Sequence, residues 1–291
     1  MTRRPYLQLD VFADRPGAGN PLAVVLDAEG LSDDDMQAIA RWTRLPETTF
    51  VRPPASADAD YGIRIFSPRR EVPFAGHPSV GTAHAVLEAG LAVPRDGVLV
   101  QDGVAGKLPL RVEGEGHRRT IAVRTPRASL MRIGSSDDPL LAAALAGLPI
   151  GTLPPALMDG GRRWWLAEVA DEAALRAATP DWTAIAALAA DTDSMGLCVF
   201  ARSTDPVYYL AVRAWVGATG HFEDAASGAA NATLAAWLAH RGALPGDGGF
   251  YRVSQGREVG HDAIIELRVD EAGDVWSGGR VVTVVEGTIA W

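Results

Sequence analysis

The sequence holds a single cysteine, Cys198, so no disulfide can form within the chain. Its neighbours Leu197, Val199 and Phe200 are apolar, which reads as a buried structural thiol in a cytoplasmic protein. Positive charge is also scarce. Lys and Arg number 27 against 36 Asp and Glu, the net charge is −9, and no basic block stands out, which disfavours nucleic acid as a partner. There is no unbroken apolar run either. Pro139 to Met158 is uncharged, but four prolines and two glycines interrupt it, so it reads as a short helix, a turn and a strand rather than a membrane span. The N-terminal residues pass directly into a strand pattern without the apolar core of a signal peptide.

Glycine and other small residues, by contrast, are concentrated at two places. The first is Glu71-Val72-Pro73-Phe74-Ala75-Gly76-His77-Pro78-Ser79-Val80-Gly81-Thr82-Ala83-His84. It follows a strand-like segment, Tyr61 to Phe66, and leads into an Ala-rich run, Thr82 to Leu91, that fits a helix. Gly76 and Gly81 allow close approach to the backbone, and Pro78 suits a first helical turn. Free N–H groups at a helix start beside His77 would receive a carboxylate or enolate oxygen. The glycine spacing is that of a phosphate-binding loop, yet Thr82-Ala83 stands where Lys-Ser/Thr is required, which disfavours nucleotide. Taken alone, a histidine such as His77 in a Gly/Pro turn is more often a structural turn residue than a catalyst.

The second is His221-Phe222-Glu223-Asp224-Ala225-Ala226-Ser227-Gly228-Ala229-Ala230-Asn231-Ala232-Thr233-Leu234. Matching Gly81 to Gly228 sets the copies 147 residues apart and places small residues opposite small ones. Arg64-Ile65-Phe66 precedes the first copy, and Arg213-Ala214-Trp215 precedes the second. The spacing predicts an internal duplication, with two similar domains, each presenting a helix N-terminus, and an active-site cleft between them.

Between these landmarks, strands are predicted at Leu7 to Phe12, Leu22 to Leu26, Thr48 to Val51, Ile63 to Phe66, near Val98, Leu108 to Val112 and Thr120 to Val123. An amphipathic helix is predicted from Ser32 through Leu45. In the second half, strands are predicted at Trp164 to Val169, Leu197 to Ala201, Val207 to Val216, Tyr251 to Ser254, Ile264 to Val269 and Val281 to Val285. Helices are predicted at Glu172 to Ala177, Trp182 to Ala190 and Ala226 to His240. The class is α+β: two α/β-roll domains, each a curved, mostly antiparallel sheet around a central helix. The boundaries are set at 1–122 and 123–291, with the strand near 281–291 free to return to the first domain.

Glu47, between a helix and a strand, is either a solvated turn carboxylate or an acid/base. Asp224 is either a plain N-cap or a member of a proton-transfer set with Glu47 and His77. The motifs Gly19-Asn20-Pro21-Leu22-Ala23-Val24-Val25, Pro46-Glu47-Thr48-Thr49-Phe50-Val51, Arg64-Ile65-Phe66-Ser67-Pro68, Pro73-Phe74-Ala75-Gly76-His77-Pro78, Glu223-Asp224 and Ser254-Gln255-Gly256 together resemble the phenazine-biosynthesis PhzF-like isomerase family. The resemblance implies the diaminopimelate epimerase fold, no cofactor and a homodimer; the helix starts and His77 predict a small anionic substrate, and no metal, membrane or nucleic acid is expected as partner. The resemblance implies Glu47 as the acid/base, assisted by His77 and Asp224. It also implies Asn20, Gly76, Ser227, Gly228 and Ala229 as substrate-binding positions.

Where the family usually reads Asp-Pro-Ala-Thr-Gly-Ser-Ala, this chain has Asp224-Ala225-Ala226-Ser227-Gly228-Ala229-Ala230, so Ala229 replaces a substrate-contacting serine. Pro46 stands where a serine is common, and Gly260-His261-Asp262 replaces Gly-Arg-Pro. Losing one hydroxyl from a polar pocket can change substrate choice by orders of magnitude. Two competing readings are a two-thiol epimerase, which Cys198 alone cannot supply, and a binding protein without turnover.

Overall fold

The computed structural model describes residues 2–135 and 137–291. It divides into two compact units: one runs to Arg124 and includes Gly278–Trp291, and the other is Thr125–Ser277. In chain order the first part contains β1 (Arg3–Val11), β2 (Asn20–Val25), α1 (Asp33–Thr43), β3 (Glu47–Arg52), β4 (Tyr61–Phe66), α2 (Gly76–Glu88), β5 (Val98–Gly103), β6 (Gly106–Glu113) and β7 (Thr120–Arg124). Then follow β8 (Ser129–Ile133), α3 (Pro139–Ala144), β9 (Ala156–Asp159), β10 (Arg163–Glu168), α4 (Glu172–Ala177), α5 (Trp182–Thr192), β11 (Gly196–Arg202), β12 (Leu210–Val216), β13 (Phe222–Asp224), α6 (Gly228–His240), β14 (Phe250–Gln255), β15 (Ala263–Val269), β16 (Val275–Gly279) and β17 (Val281–Ala290). The division lies at 124/125 rather than 122/123, and β17 belongs to the first unit because it pairs antiparallel along the whole of β1.

Both units use one strand pattern. In the first, β2 runs parallel to β3, β3 antiparallel to β4, β4 parallel to β5, and β5 antiparallel to β6. In the second, β10, β11, β12, β14 and β15 repeat that sequence of parallel and antiparallel pairings. Each parallel pair needs a helical crossover. The helices α2 and α6 are the second crossover of each unit, and both are 13 residues long.

The helix α2 begins at Gly76, ahead of the Ala-rich run from Thr82, and Pro78 falls in its first turn, where its missing N–H is not needed. Every residue from Gly76 to Val86 is buried, so the helix is a core element on all sides. It packs on β1, β2, β3, β5, β7 and β17, which means the unit's sheet curves around it. Gly81 makes this approach possible: a Cβ there would lie 2.5 Å from Leu22 Cδ2 and 2.8 Å from Val11 Cγ2. In the second unit α6 packs on β9, β10 and β15. Gly228 starts its helix 152 residues after Gly76 starts the first, so the copies align on their helix starts rather than on the 147-residue spacing.

The remaining helices cover the outer faces. Around α1, Met36, Ile39 and Ala40 pack with Val25, Phe50 and Phe66. Around α3, α4 and α5, Leu141, Leu175, Ile185 and Leu188 pack with Leu197, Val199 and Trp215. Ser32 and Asp35 form a capping box at the start of α1. That helix stops at Thr43, short of the predicted Leu45, because Arg44 turns left-handed at φ 57°. Among the described residues, no helix is long and apolar enough to cross a membrane.

Gly81→Ala should overpack the seam between α2 and β2 and cost about 1–3 kcal/mol, read as a lower urea midpoint at unchanged m-value.

Candidate active site

Leu22 and Glu47 are register partners across β2 and β3. Registered neighbours share a face, and Leu22 faces Gly81, so Glu47 also points to the α2 side. Thr49, two residues on, accepts a hydrogen bond from Thr82 Oγ1 of α2 at 2.7 Å, which confirms that face. Asn20, two residues before Leu22, lies on it too and is buried. Glu47 is therefore the first residue of a strand, with a side chain only 16% exposed, and not a solvated turn carboxylate.

His77 is the second residue of α2. Its Nε2 lies 3.4 Å from Glu47 Oε2, an ionic-range approach longer than an ordinary hydrogen bond. Burial pushes the imidazole pKa down to about 3, so His77 is neutral where proteins function. The N-cap, Ala75, offers no side-chain acceptor, and Pro78 has no N–H. A carboxylate, a neutral imidazole and the positive end of a helix thus meet at one point.

The second unit builds the same frame with different groups. Asp224 ends β13 and accepts a hydrogen bond from Ala226 N–H at 3.2 Å. The N-cap of α6 is Ser227, not Asp224. Ala229 occupies the second helical position, as His77 does in α2. Asp224, Ala214 and Cys198 form one row across β13, β12 and β11. Burial raises the Cys198 thiol to about 12, which makes it inert. Phe50 opposes Arg64, and Val199 opposes Arg213. Three residues back from each partner stand Glu47 and Gly196. A Cβ on Gly196 would lie 2.1 Å from the Trp215 carbonyl oxygen, so that position holds no side chain.

The sequence did not reveal the supports of these helix starts. Arg64 makes a two-pronged pair with Glu71, and Arg213 with Glu223 at 2.7 and 3.0 Å. Each arginine lies 5.1 Å from the ring centroid of the aromatic residue two positions on, Phe66 or Trp215. The only sequence sign was the shared Arg-x-aromatic pattern. Gln255 and Asn231, both fully buried, join Asp224 to the start of α6.

A family model described as phenazine biosynthesis-like protein matches residues 9–287. The chain belongs to this family. One relative, the trans-2,3-dihydro-3-hydroxyanthranilate isomerase of Pseudomonas aeruginosa, is 33% identical over 270 residues, covering 92% of this chain and 91% of its own. Another, antisense-enhancing sequence 1 of Schizosaccharomyces pombe, is 30% identical over 305 residues, covering 99% of each. Among solved structures, a PhzF-family phenazine biosynthesis protein of Bacillus anthracis matches with a TM-score of 0.85 over the full length of both chains at 24% identity, a likeness of fold. As a phenazine biosynthesis-like protein with relatives named isomerases, the chain is an isomerase.

Because His77 is neutral when folded but has an ordinary pKa near 6.5 when unfolded, the unfolded state binds more protons below that value. Stability should thus be fully present above about 6.5 and fall progressively as the pH drops toward about 3. Proton NMR should show no His77 titration through the ordinary histidine range, and His77→Asn should flatten the acid limb of the stability curve.

Proposed function

We propose that this isomerase moves a proton between two carbons of one small anionic molecule, with Glu47 as the acid/base. The observation that carries this reading is the Glu47 carboxylate 3.4 Å from the buried His77 at the uncapped start of α2. A carboxylate that is mostly enclosed can both remove a proton and return it. The neutral imidazole then acts through hydrogen bonding, holding the developing enolate oxygen or orienting the carboxylate, and does not carry the proton itself.

A single base follows from the second unit. Gly196 occupies the position equivalent to Glu47, and Cys198 is a buried, protonated thiol, so neither is available as a second base. Removal and return by Glu47 would then occur on one face of the substrate. The start of α2 favours an anionic group there, by roughly 0.3–1 kcal/mol when exposed and more when enclosed. Asp224, in the second unit, takes the role of holding a substrate amine or hydroxyl. Proton transfer next to an unsaturated or carbonyl-bearing carbon needs no cofactor.

The Pseudomonas aeruginosa relative makes trans-2,3-dihydro-3-hydroxyanthranilate the first compound to test, followed by other carboxylates with an activated C–H bond. Wild-type protein in deuterated solvent should place deuterium on the product carbon. Glu47→Gln should abolish exchange and turnover while leaving ligand affinity within roughly tenfold, about 1.4 kcal/mol. Near wild-type turnover by Glu47→Gln would move the base to Asp224.

A further inference from the structure

Both buried helices begin with the same brace. In α2 the fourth residue, Ser79, donates its hydroxyl to the carbonyl of the N-cap Ala75 at 3.0 Å, and Gln101 of β5 donates to that hydroxyl at 3.0 Å. In α6 the fourth residue, Asn231, donates Nδ2 to the carbonyl of the N-cap Ser227 at 2.9 Å and to Gln255 Oε1 of β14 at 2.8 Å. Gln101 lies on β5, which follows α2 and pairs parallel with β4, and Gln255 lies on β14, which follows α6 and pairs parallel with β12. The two braces differ in what the glutamine does with the rest of its amide. Gln101 Oε1 has no partner among the described residues. Gln255 uses both ends: Oε1 also accepts from Ser227 N–H at 3.2 Å, and Nε2 donates to the Asp224 carbonyl at 2.8 Å.

From this difference we propose that Gln255 is a positioning residue of the reaction, holding the Asp224 backbone against the start of α6 so that its carboxylate is presented in one orientation. The proposal rests on the reading above that Asp224 takes part. A planar amide can serve both ends at once only in one rotamer, and full burial removes water as a substitute partner. Gly256 fixes the strand end behind it. At φ 95° a Cβ there would lie 2.4 Å from the Ala225 carbonyl oxygen, so the 224–227 segment rests directly on bare backbone. Asp224 is thus held through its carbonyl by Gln255, and the residue after it rests on Gly256.

The test compares Gln255→Leu, which removes the grip on Asp224, with Asn231→Leu, which removes the helix brace and leaves the Gln255 bond to Asp224 intact. Circular dichroism confirms folding. Amide hydrogen exchange of the ligand-free full chain should accelerate about tenfold or more at residues 223–226 in Gln255→Leu, and not in Asn231→Leu. On the compound that wild type turns over, Gln255→Leu should lower kcat about tenfold or more with little change in KM, a clearly larger loss than in Asn231→Leu. If Gln255→Leu does not fold, Gln255→Glu replaces it, keeping the acceptor for Ser227 and Asn231 and losing the amide donor to Asp224. Unchanged exchange at 223–226, wild-type kcat, or equal losses in the two variants would overturn the proposal. Asp224→Asn separates the two levels: wild-type turnover there defeats the role of Asp224 itself, whereas loss there with none in the Gln255 variants defeats only the positioning role.

Discussion

A helix buried on every side must be satisfied by small residues and close strands, and this constraint governs both halves of the molecule. Gly81 brings α2 onto Leu22 and Val11, and β1, β2, β3, β5, β7 and β17 pack around it. Burial on that scale favours the helix through removed apolar area, even though glycine and proline in its first two turns are poor helix formers. The same enclosure buries the whole first turn, from Gly76 to Ser79. An electropositive helix end inside the protein results from packing before any ligand is considered.

The duplicated frame carries unequal chemistry. At the second helical position one copy has His77 and the other Ala229. On the strand before, one copy has Glu47 and the other Gly196, whose backbone lies too close to Trp215 for a side chain. The supports, by contrast, are retained in both copies: an arginine–glutamate pair on the outer face, and a fourth-residue side chain bonded to the N-cap carbonyl. Groups that hold a helix start in place answer to packing, so both copies need them. Groups that react answer to one substrate, which is not symmetric.

Much of this was legible in the sequence. Apolar spacing located most of the strands, and Glu172 to Ala177 coincides with α4. The strands β8, β13 and β16 were missed for physical reasons: all five residues of β8 are exposed, β13 has three residues, and β16 ends in Gly-Gly. In α2 the Ala-rich run from Thr82 was the plain helical signal, whereas the residues from Gly76 to Gly81 have low helical propensity, which tertiary burial overrides. At the site, His77 and Glu47 were identifiable as candidates. Their enclosure was not, since it depends on Glu47 sharing a register with Leu22, a relation between strands separated by a whole helix. The hydrogen bonds of Gln255 were hidden for the same reason.

The pairing of β17 with β1 bears on how the protein is made. The strand that completes the first unit follows the whole of the second in the chain, and the backbones of Thr2 and Trp291 bond to each other at 2.9 and 3.1 Å. On the ribosome, the second unit has all its strands in hand while β1 still has one edge open to solvent. The unit begun first is therefore the one finished last, and for that interval its exposed edge is where a holdase chaperone would act or a neighbouring nascent chain would add on.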